Sequence, residues 1–260
     1  MNNFDLLKAV QPEQGWFTVL GIKGKTRVKQ QLVATREEVD VLTQQLVSEG
    51  RNVFFSVAKF KTGDNRTKDN VGLLKAFWLD IDCGVDKAEV NEKTGFPGGY
   101  ATQADGIAAL RAFCHTLGLP KPIVVNSGRG LHVYWALKQE VTREEWEPVA
   151  KRFHDLCNTH GFYIDNSVFE VSRVLRIPGT YNFKDNPPTQ VEVMSIAEPV
   201  EFSYFCEVLG YEKEEVRVAK PRRPLTALGK AMQGNVDSKF SVIMVRSGKG
   251  KGCATTTTRQ

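Results

Sequence analysis

Two carboxylates separated by one residue stand out in segment 77–82, which reads FWLDID. Side chains alternate between the two faces of a β-strand, so Asp80 and Asp82 are predicted to project from the same face. Two like charges at this spacing disfavour each other's ionisation, and a hard divalent cation such as Mg²⁺ or Mn²⁺ relieves the repulsion through oxygen ligands. The motif therefore indicates a metal site. A strand with two solvent-facing polar residues is the simpler alternative for this motif alone.

A glycine-rich turn occupies residues 127–130 and leads into a predicted strand. Gly128 and Gly130 lack Cβ atoms, which lets backbone N–H groups approach an anion closely, while Ser127 and Arg129 add side-chain donors. His132 then lies near the start of the strand, where it can donate a hydrogen bond to a phosphate oxygen. The alternative is a tight hairpin with a histidine placed by chance, and the segment does not match a Walker A loop.

A third polar segment, residues 163–184, reads YIDNSVFEVSRVLRIPGTYNFK. Asp165 offers a further carboxylate in this segment. Glu170 is the competing candidate for a third acid, because the choice of Asp165 rests on its context and not on a fixed spacing.

The same segment carries cations on a predicted strand at Val168–Pro178. Arg173 and Arg176 have opposite parity, so a regular strand would send them to different faces unless a bulge intervenes. Cations within reach of a phosphate form charge-assisted hydrogen bonds, and ion pairs with nearby carboxylates are the alternative role for these arginines. Two further polar residues follow the turn after the strand: Asn182 and Lys184.

Together these groups supply the parts required for two-metal nucleotidyl transfer. Carboxylates would hold two divalent ions, and His, Ser and Arg groups would hold a triphosphate. One ion would lower the pKa of an attacking 3′-hydroxyl, and the other would stabilise the leaving pyrophosphate. Positioning and electrostatic stabilisation would account for the catalysis.

The elements that must position these residues mix strands and helices throughout. A hairpin is predicted at Trp16–Ile22 and Val28–Ala34, followed by a helix that begins with the capping-box pair Thr35 and Glu38. The central part of the chain is similar to the β-α-β-β-α-β order of ferredoxin-like and RNA-recognition folds. We expect an α/β (α+β) protein with two packed lobes and the carboxylates in the cleft between them.

Composition and charge exclude several classes of protein. The 260 residues are 41% hydrophobic and 25% charged, as in ordinary globular proteins. No apolar run long enough to span a membrane and no signal peptide is evident in the sequence, so a cytoplasmic location is predicted. Five scattered cysteines without a CxxC pair argue against a disulfide framework and a zinc ribbon. Residues 211–260 carry eleven Lys/Arg and four Asp/Glu, so the net positive charge belongs to this segment, consistent with a nucleic-acid contact or a linker.

The order of FWLDID, SGRGLH and a downstream Asp before RVLRIPGT resembles the archaeo-eukaryotic primase superfamily, and most closely the primase-polymerases of phages and plasmids. The resemblance covers roughly residues 15–195. It implies that Asp80, Asp82 and Asp165 bind two catalytic Mg²⁺ or Mn²⁺ ions and that His132 binds the triphosphate of the incoming nucleotide. The zinc-binding elements of many relatives are not evident.

The resemblance implies a two-lobed primase fold with a catalytic domain at residues 1–210. Within it, an αβ unit is expected at about 1–75 and a catalytic unit like an RNA-recognition motif at about 76–200. Residues 211–260 are then a basic linker and the start of a helical accessory region.

The expected function is that of a DNA primase-polymerase acting on a single-stranded DNA template with nucleoside triphosphates, in the host cytoplasm if the source is viral, and possible partners include a helicase. A gap-filling or end-joining polymerase of the same superfamily and a non-catalytic nucleic-acid-binding module are the alternatives. Tyr134, Trp135 and the basic segment 211–260 are candidates for gripping the template strand.

Overall fold

Two four-stranded antiparallel sheets form the framework in the computed structural model, which describes residues 5–24, 27–92 and 94–212. The predicted linker and helical segment therefore lie outside the described residues from position 213 onward. Both sheets contribute side chains to one continuous hydrophobic core. No helix in the described part of the chain is long and apolar enough to cross a lipid bilayer.

The first sheet has the strand order β2-β1-β3-β7. The predicted hairpin is present as β1 (Phe17–Lys23) and β2 (Arg27–Val33), and β3 (Asn52–Ser56) and β7 (Val174–Arg176) complete the sheet. Helix α1 (Leu6–Val10) precedes it. Helix α2 (Arg36–Ser48) begins at the predicted capping box of Thr35 and Glu38. Its buried Val39, Leu42 and Leu46 make the apolar face of the helix.

The second sheet has the order β10-β5-β6-β4, from β4 (Leu73–Ile81), β5 (Ile123–Asn126), β6 (Leu131–Thr142) and β10 (Glu192–Ser195). It is accompanied by α4 (Gln103–Leu117), α5 (Arg143–Thr159) and α6 (Phe202–Val208). Phe77 of β4 stacks on Phe205 of α6 and Trp146 of α5, with ring centroids 4.6 and 5.5 Å away. Burial of such aromatic pairs fixes β4 against its helices.

The remaining elements are short. They comprise the one-turn helix α3 (Val85–Ala88), the two-residue strands β8 (Tyr181–Asn182) and β9 (Thr189–Gln190), and 3-10 turns at Lys68–Asn70 and Asn166–Phe169.

The predicted strand at Val168–Pro178 is mostly wrong. The 3-10 turn ends at Phe169, and only Val174–Arg176 forms strand. The Asp165 side chain accepts a hydrogen bond from the backbone N–H of Ser167. This local hydrogen bond takes the place of one that strand pairing would make. Arg173 therefore precedes the strand, and the argument from strand parity does not apply to it.

Candidate active site

A cavity of about 330 Å³ lies between the two sheets, with β3 and β7 on one side and β4 and β6 on the other. It brings together ten of the eleven site residues predicted from the sequence; Gly128 is the exception. Its lining comprises Phe54, Asp80, Asp82, Cys83, Asp86, Lys87, Ser127, Arg129, Gly130, His132, Asp165, Arg173, Val174, Arg176, Asn182 and Lys184.

Asp80 lies near the end of β4, and Asp82 follows the last residue of that strand. Asp80 is opposite His132 in the antiparallel register, and both aspartates line the cavity, as strand alternation predicts. Burial raises the pKa of Asp80 to about 7, and the negative charges of Asp82 and Asp165 contribute to the increase. The ionised form of Asp80 is therefore disfavoured, first by burial and then by two like charges.

Asp165 reaches the same cavity from the segment that follows α5. Its backbone N–H donates to the Asp80 carbonyl oxygen at 2.9 Å, which fixes the segment against β4. Burial raises the pKa of Asp165. Hydrogen bonds from the Ser167 hydroxyl and N–H and the charge of Arg173 outweigh burial, so the pKa of Asp165 is lowered overall. Glu170 instead accepts a hydrogen bond from Ser172 Oγ at 2.9 Å and does not line the cavity.

His132 is buried in the second sheet beside Asp80. Its Nε2 lies 3.9 Å from Asp80 Oδ1, and its Nδ1 is buried without a hydrogen-bond partner among the described residues. Burial, followed by the charges of Arg176 and Arg173, lowers the pKa of His132 to about 3. The imidazole is therefore neutral near pH 7 and can donate through only one ring nitrogen at a time.

The glycine-rich turn is shaped by close backbone approaches. A Cβ atom at Gly130 would collide with the Ile81 carbonyl oxygen, and one at Gly128, whose φ is 101°, would lie 2.6 Å from the Asn182 side chain. Gln103 Nε2 donates to the carbonyl oxygens of both glycines at 3.2 Å. The turn is thus held against the end of β4, and the glycines have a packing role irrespective of any anion.

The two arginines of the third segment face the same cavity. Arg173 forms an ion pair with Asp165, which the sequence offered as the alternative role, and its Nη2 lies 4.0 Å from Asp80 Oδ2. Arg176 is buried, and its Nη2 donates to Asn52 Oδ1 and Asn182 Oδ1 at 3.3 and 3.2 Å. Both cations are held by neutral or acidic partners that also organise the cavity wall.

Asn182 links the turn, Arg176 and the chain that follows. Its Nδ2 donates to the Ser127 carbonyl oxygen at 3.1 Å, and its Oδ1 also accepts from the Lys184 N–H at 3.1 Å. Arg129 is exposed, with 57% of its side chain accessible, and it forms an ion pair with Asp185 at 2.5 Å. Its guanidinium also donates to the Lys184 carbonyl oxygen at 3.0 Å.

Lys87 is a charged residue of the cavity that sequence reasoning missed. Its Nζ lies 2.8 Å from Asp82 Oδ2, and this hydrogen bond raises the pKa of the lysine. The one-turn helix α3 directs this side chain back to the carboxylates. A basic residue five positions after Asp82 was the only signal in the sequence.

Tyr134 and Trp135 are not available to a nucleic-acid strand, so their predicted role in gripping the template is wrong. Their exposed fractions are 0% and 2% because β6 lies between β4 and β5, with core on both faces. The indole N–H of Trp135 donates to the Pro120 carbonyl oxygen at 2.8 Å. Both rings belong to the core of the second sheet.

The donor set fits hard divalent cations, although the carboxylates are engaged by cations of the protein. No three His, Cys, Asp or Glu side chains within residues 5–24, 27–92 and 94–212 already converge on one point. Lys87 holds Asp82 and Arg173 holds Asp165, while Asp80 retains a raised pKa. Asp80, Asp82 and Asp165 provide the oxygen ligands that Mg²⁺ and Mn²⁺ prefer, and the repulsion among them is what a cation would relieve.

The raised pKa of Asp80 predicts a pH-dependent stability. Between its ordinary value of 3.8 and about 7, the folded protein retains a proton at Asp80 that the unfolded chain has released, so stability falls as pH rises through this window. In EDTA, the difference in unfolding free energy between Asp80→Asn and wild type should grow in favour of the variant by on the order of 1 kcal/mol per pH unit across the window. Above the window, the difference should stay constant. Denaturant titrations at about pH 4, 6 and 8 measure the difference. A difference that is constant with pH would contradict the prediction.

Comparison with known proteins places this architecture in a structural class. No protein-family model matches the chain, and no curated protein matches it. Among solved structures, the archaeo-eukaryotic primase domain of the cyanophage S-2L primase-polymerase aligns with a TM-score of 0.53 at 17% identity, over 75% of this chain and 89% of that one. The chain therefore has the archaeo-eukaryotic primase fold, and the predicted fold is confirmed.

Two further solved structures align less closely. Primase RepB′ gives a TM-score of 0.46 at 11% identity, over 90% of this chain and 64% of that one. The polymerase domain of ligase D from Mycobacterium tuberculosis, solved in complex with DNA, gives 0.42 at 16% identity, over 76% of this chain and 70% of that one.

Proposed function

We propose that this protein is a DNA primase-polymerase, which makes and extends primers on single-stranded DNA by template-dependent, divalent-metal-dependent nucleotidyl transfer in phage or plasmid replication. The observation that carries the proposal is one cavity that contains Asp80, Asp82 and Asp165 on one side and His132, Arg173 and Arg176 beside them. Anionic ligands for metals and cationic or neutral donors for phosphates are the two parts that phosphoryl transfer requires. The fold of the chain, which is that of an archaeo-eukaryotic primase domain, is consistent with this function.

Asp80, Asp82 and Asp165 would hold the divalent ions. When bound, two such ions supply an activated 3′-hydroxyl and a stabilised pyrophosphate leaving group. Burial and the charges of both other acids raise the pKa of Asp80, so the three carboxylates are close enough to interact. Asp165 is favoured over Glu170 as the third acid because Glu170 does not line the cavity.

The wall beside these acids would hold the triphosphate of the incoming nucleotide. Neutral His132 can donate a hydrogen bond to a phosphate oxygen without adding a charge that would have to be desolvated. Arg173, Arg176 and Lys184 would supply charge-assisted hydrogen bonds, and Ser127 a neutral one. We assign Gly128, Arg129 and Asn182 to keeping this wall in place through the contacts of the turn.

The decisive test is incorporation of labelled nucleotides on an unprimed single-stranded DNA template with Mg²⁺ or Mn²⁺, comparing wild type with Asp82→Asn. Products that require Asp82 would establish priming, and separate reactions with ribonucleotides and deoxyribonucleotides would identify the sugar. A primed template in parallel is the control. Extension without priming would favour the gap-filling polymerase, and no synthesis on either template would leave a nucleic-acid-binding module.

A further inference from the structure

The ion pair between Lys87 and Asp82 occupies the coordination space of a carboxylate to which the proposed function assigns a metal ion. Lys87 Nζ lies 2.8 Å from Asp82 Oδ2, and 42% and 44% of the two side chains are exposed. Lys87 belongs to α3, whose first turn is closed by hydrogen bonds from the N–H groups of Lys87 and Ala88 to the Gly84 carbonyl oxygen. This turn begins at Gly84, two residues after Asp82, and it places the Lys87 ammonium group beside the Asp82 carboxylate.

The three acids differ in how the protein neutralises them. Asp82 and Asp165 each have a direct ion pair, with Lys87 and Arg173 respectively. Among the described residues, the nearest cationic atom to Asp80 is Arg173 Nη2 at 4.0 Å, and the neutral His132 Nε2 is at 3.9 Å. A divalent ion that binds Asp80 and Asp82 together would lie close to the ammonium group, and like charges at such distances repel strongly.

A divalent ion would displace Lys87 from Asp82 more easily than it would displace Arg173 from Asp165. The Arg173 guanidinium is 25% exposed and also donates to Ser167 Oγ at 2.6 Å, so two partners hold it. Lys87 carries a compact charge on a flexible stem, and within the described part of the chain Asp82 is the one hydrogen-bond partner of its ammonium group. Removing Lys87 from Asp82 therefore breaks one contact, whereas removing Arg173 from Asp165 breaks a network.

We propose that Lys87 is an internal counter-ion that competes with the divalent cation for Asp82 and thereby sets the metal affinity of the site. The inference rests on the proposed function, because it requires that Asp82 is a metal ligand. Lys87 is a positioning residue in this scheme: it acts on the carboxylate and not on the reacting atoms.

The test is calorimetric titration of the protein with Mn²⁺ alone, without nucleotide or DNA, for wild type, Lys87→Met and Lys87→Arg. Lys87→Met should lower the Kd for Mn²⁺ by about fivefold or more, since the competing charge is lost. Lys87→Arg, which keeps the charge, should remain close to wild type. Lys29→Met is a matched control, because Lys29 makes an ion pair of the same length with Glu49 outside the cavity. It should leave the Kd unchanged.

An unchanged or higher Kd in Lys87→Met, with Mn²⁺ binding lost in Asp82→Asn, would overturn the role of Lys87 and leave the metal site intact. Mn²⁺ binding that is the same in wild type and Asp82→Asn would instead remove the metal site, and with it both proposals. Circular dichroism of each variant in EDTA verifies that the proteins being compared are folded.

Discussion

Asp80→Asn is expected to reduce nucleotide incorporation by about a thousandfold or more while leaving binding of single-stranded DNA nearly unchanged. Burial, and after it the charges of Asp82 and Asp165, disfavour the ionised form of Asp80, which a bound divalent cation would favour. The amide keeps the size of the side chain and removes the charge. Primer extension rates at saturating Mn²⁺ and fluorescence anisotropy with a labelled oligonucleotide measure the two properties.

The matched control for this prediction is Asp155→Asn, an aspartate on α5 whose side chain is 55% exposed and lies outside the cavity. It should retain the wild-type rate. Because Asp80→Asn is expected to be more stable than wild type above pH 7 in EDTA, loss of activity in that variant cannot be ascribed to unfolding. Substantial synthesis by Asp80→Asn would remove Asp80 from the catalytic site.

Local rules predicted much of the arrangement around β4. Alternation along a strand places Asp80 and Asp82 on one side, and both line the cavity. The capping box of Thr35 and Glu38 begins α2 where the sequence indicates. These features depend on residues a few positions apart, so the sequence is sufficient to find them.

Features that depend on distant segments escaped the same rules. The parity argument for Arg173 and Arg176 failed because Asp165 organises a 3-10 turn that shortens the strand. Tyr134 and Trp135 are buried because β6 is a central strand, and strand position within a sheet is not encoded locally. The contact of Lys87 with Asp82 depends on the geometry of a single helical turn that the composition of segment 84–100 does not reveal.

His132→Gln is expected to raise the KM for the incoming nucleotide by about ten- to a hundredfold, with a smaller effect on kcat. His132 is 2% exposed and its pKa is lowered to about 3, so it contributes a neutral N–H donor and not a positive charge. Binding lost in this way affects ground state and transition state alike, which raises KM more than it lowers kcat. Steady-state primer extension over a range of nucleotide concentrations measures both constants.

The protonation state of His132 makes the prediction sharper. A histidine with its ordinary pKa near 6.5 would change nucleotide affinity between about pH 5.5 and 7.5, whereas the buried His132 should produce no such change in the wild-type KM. His115→Gln, on the exposed side of α4, is the matched control and should behave as wild type. A KM that is unchanged in His132→Gln would make His132 a structural residue of β6, and a wild-type KM that titrates near pH 6.5 and loses this dependence in His132→Gln would show that the imidazole binds phosphate in its charged form.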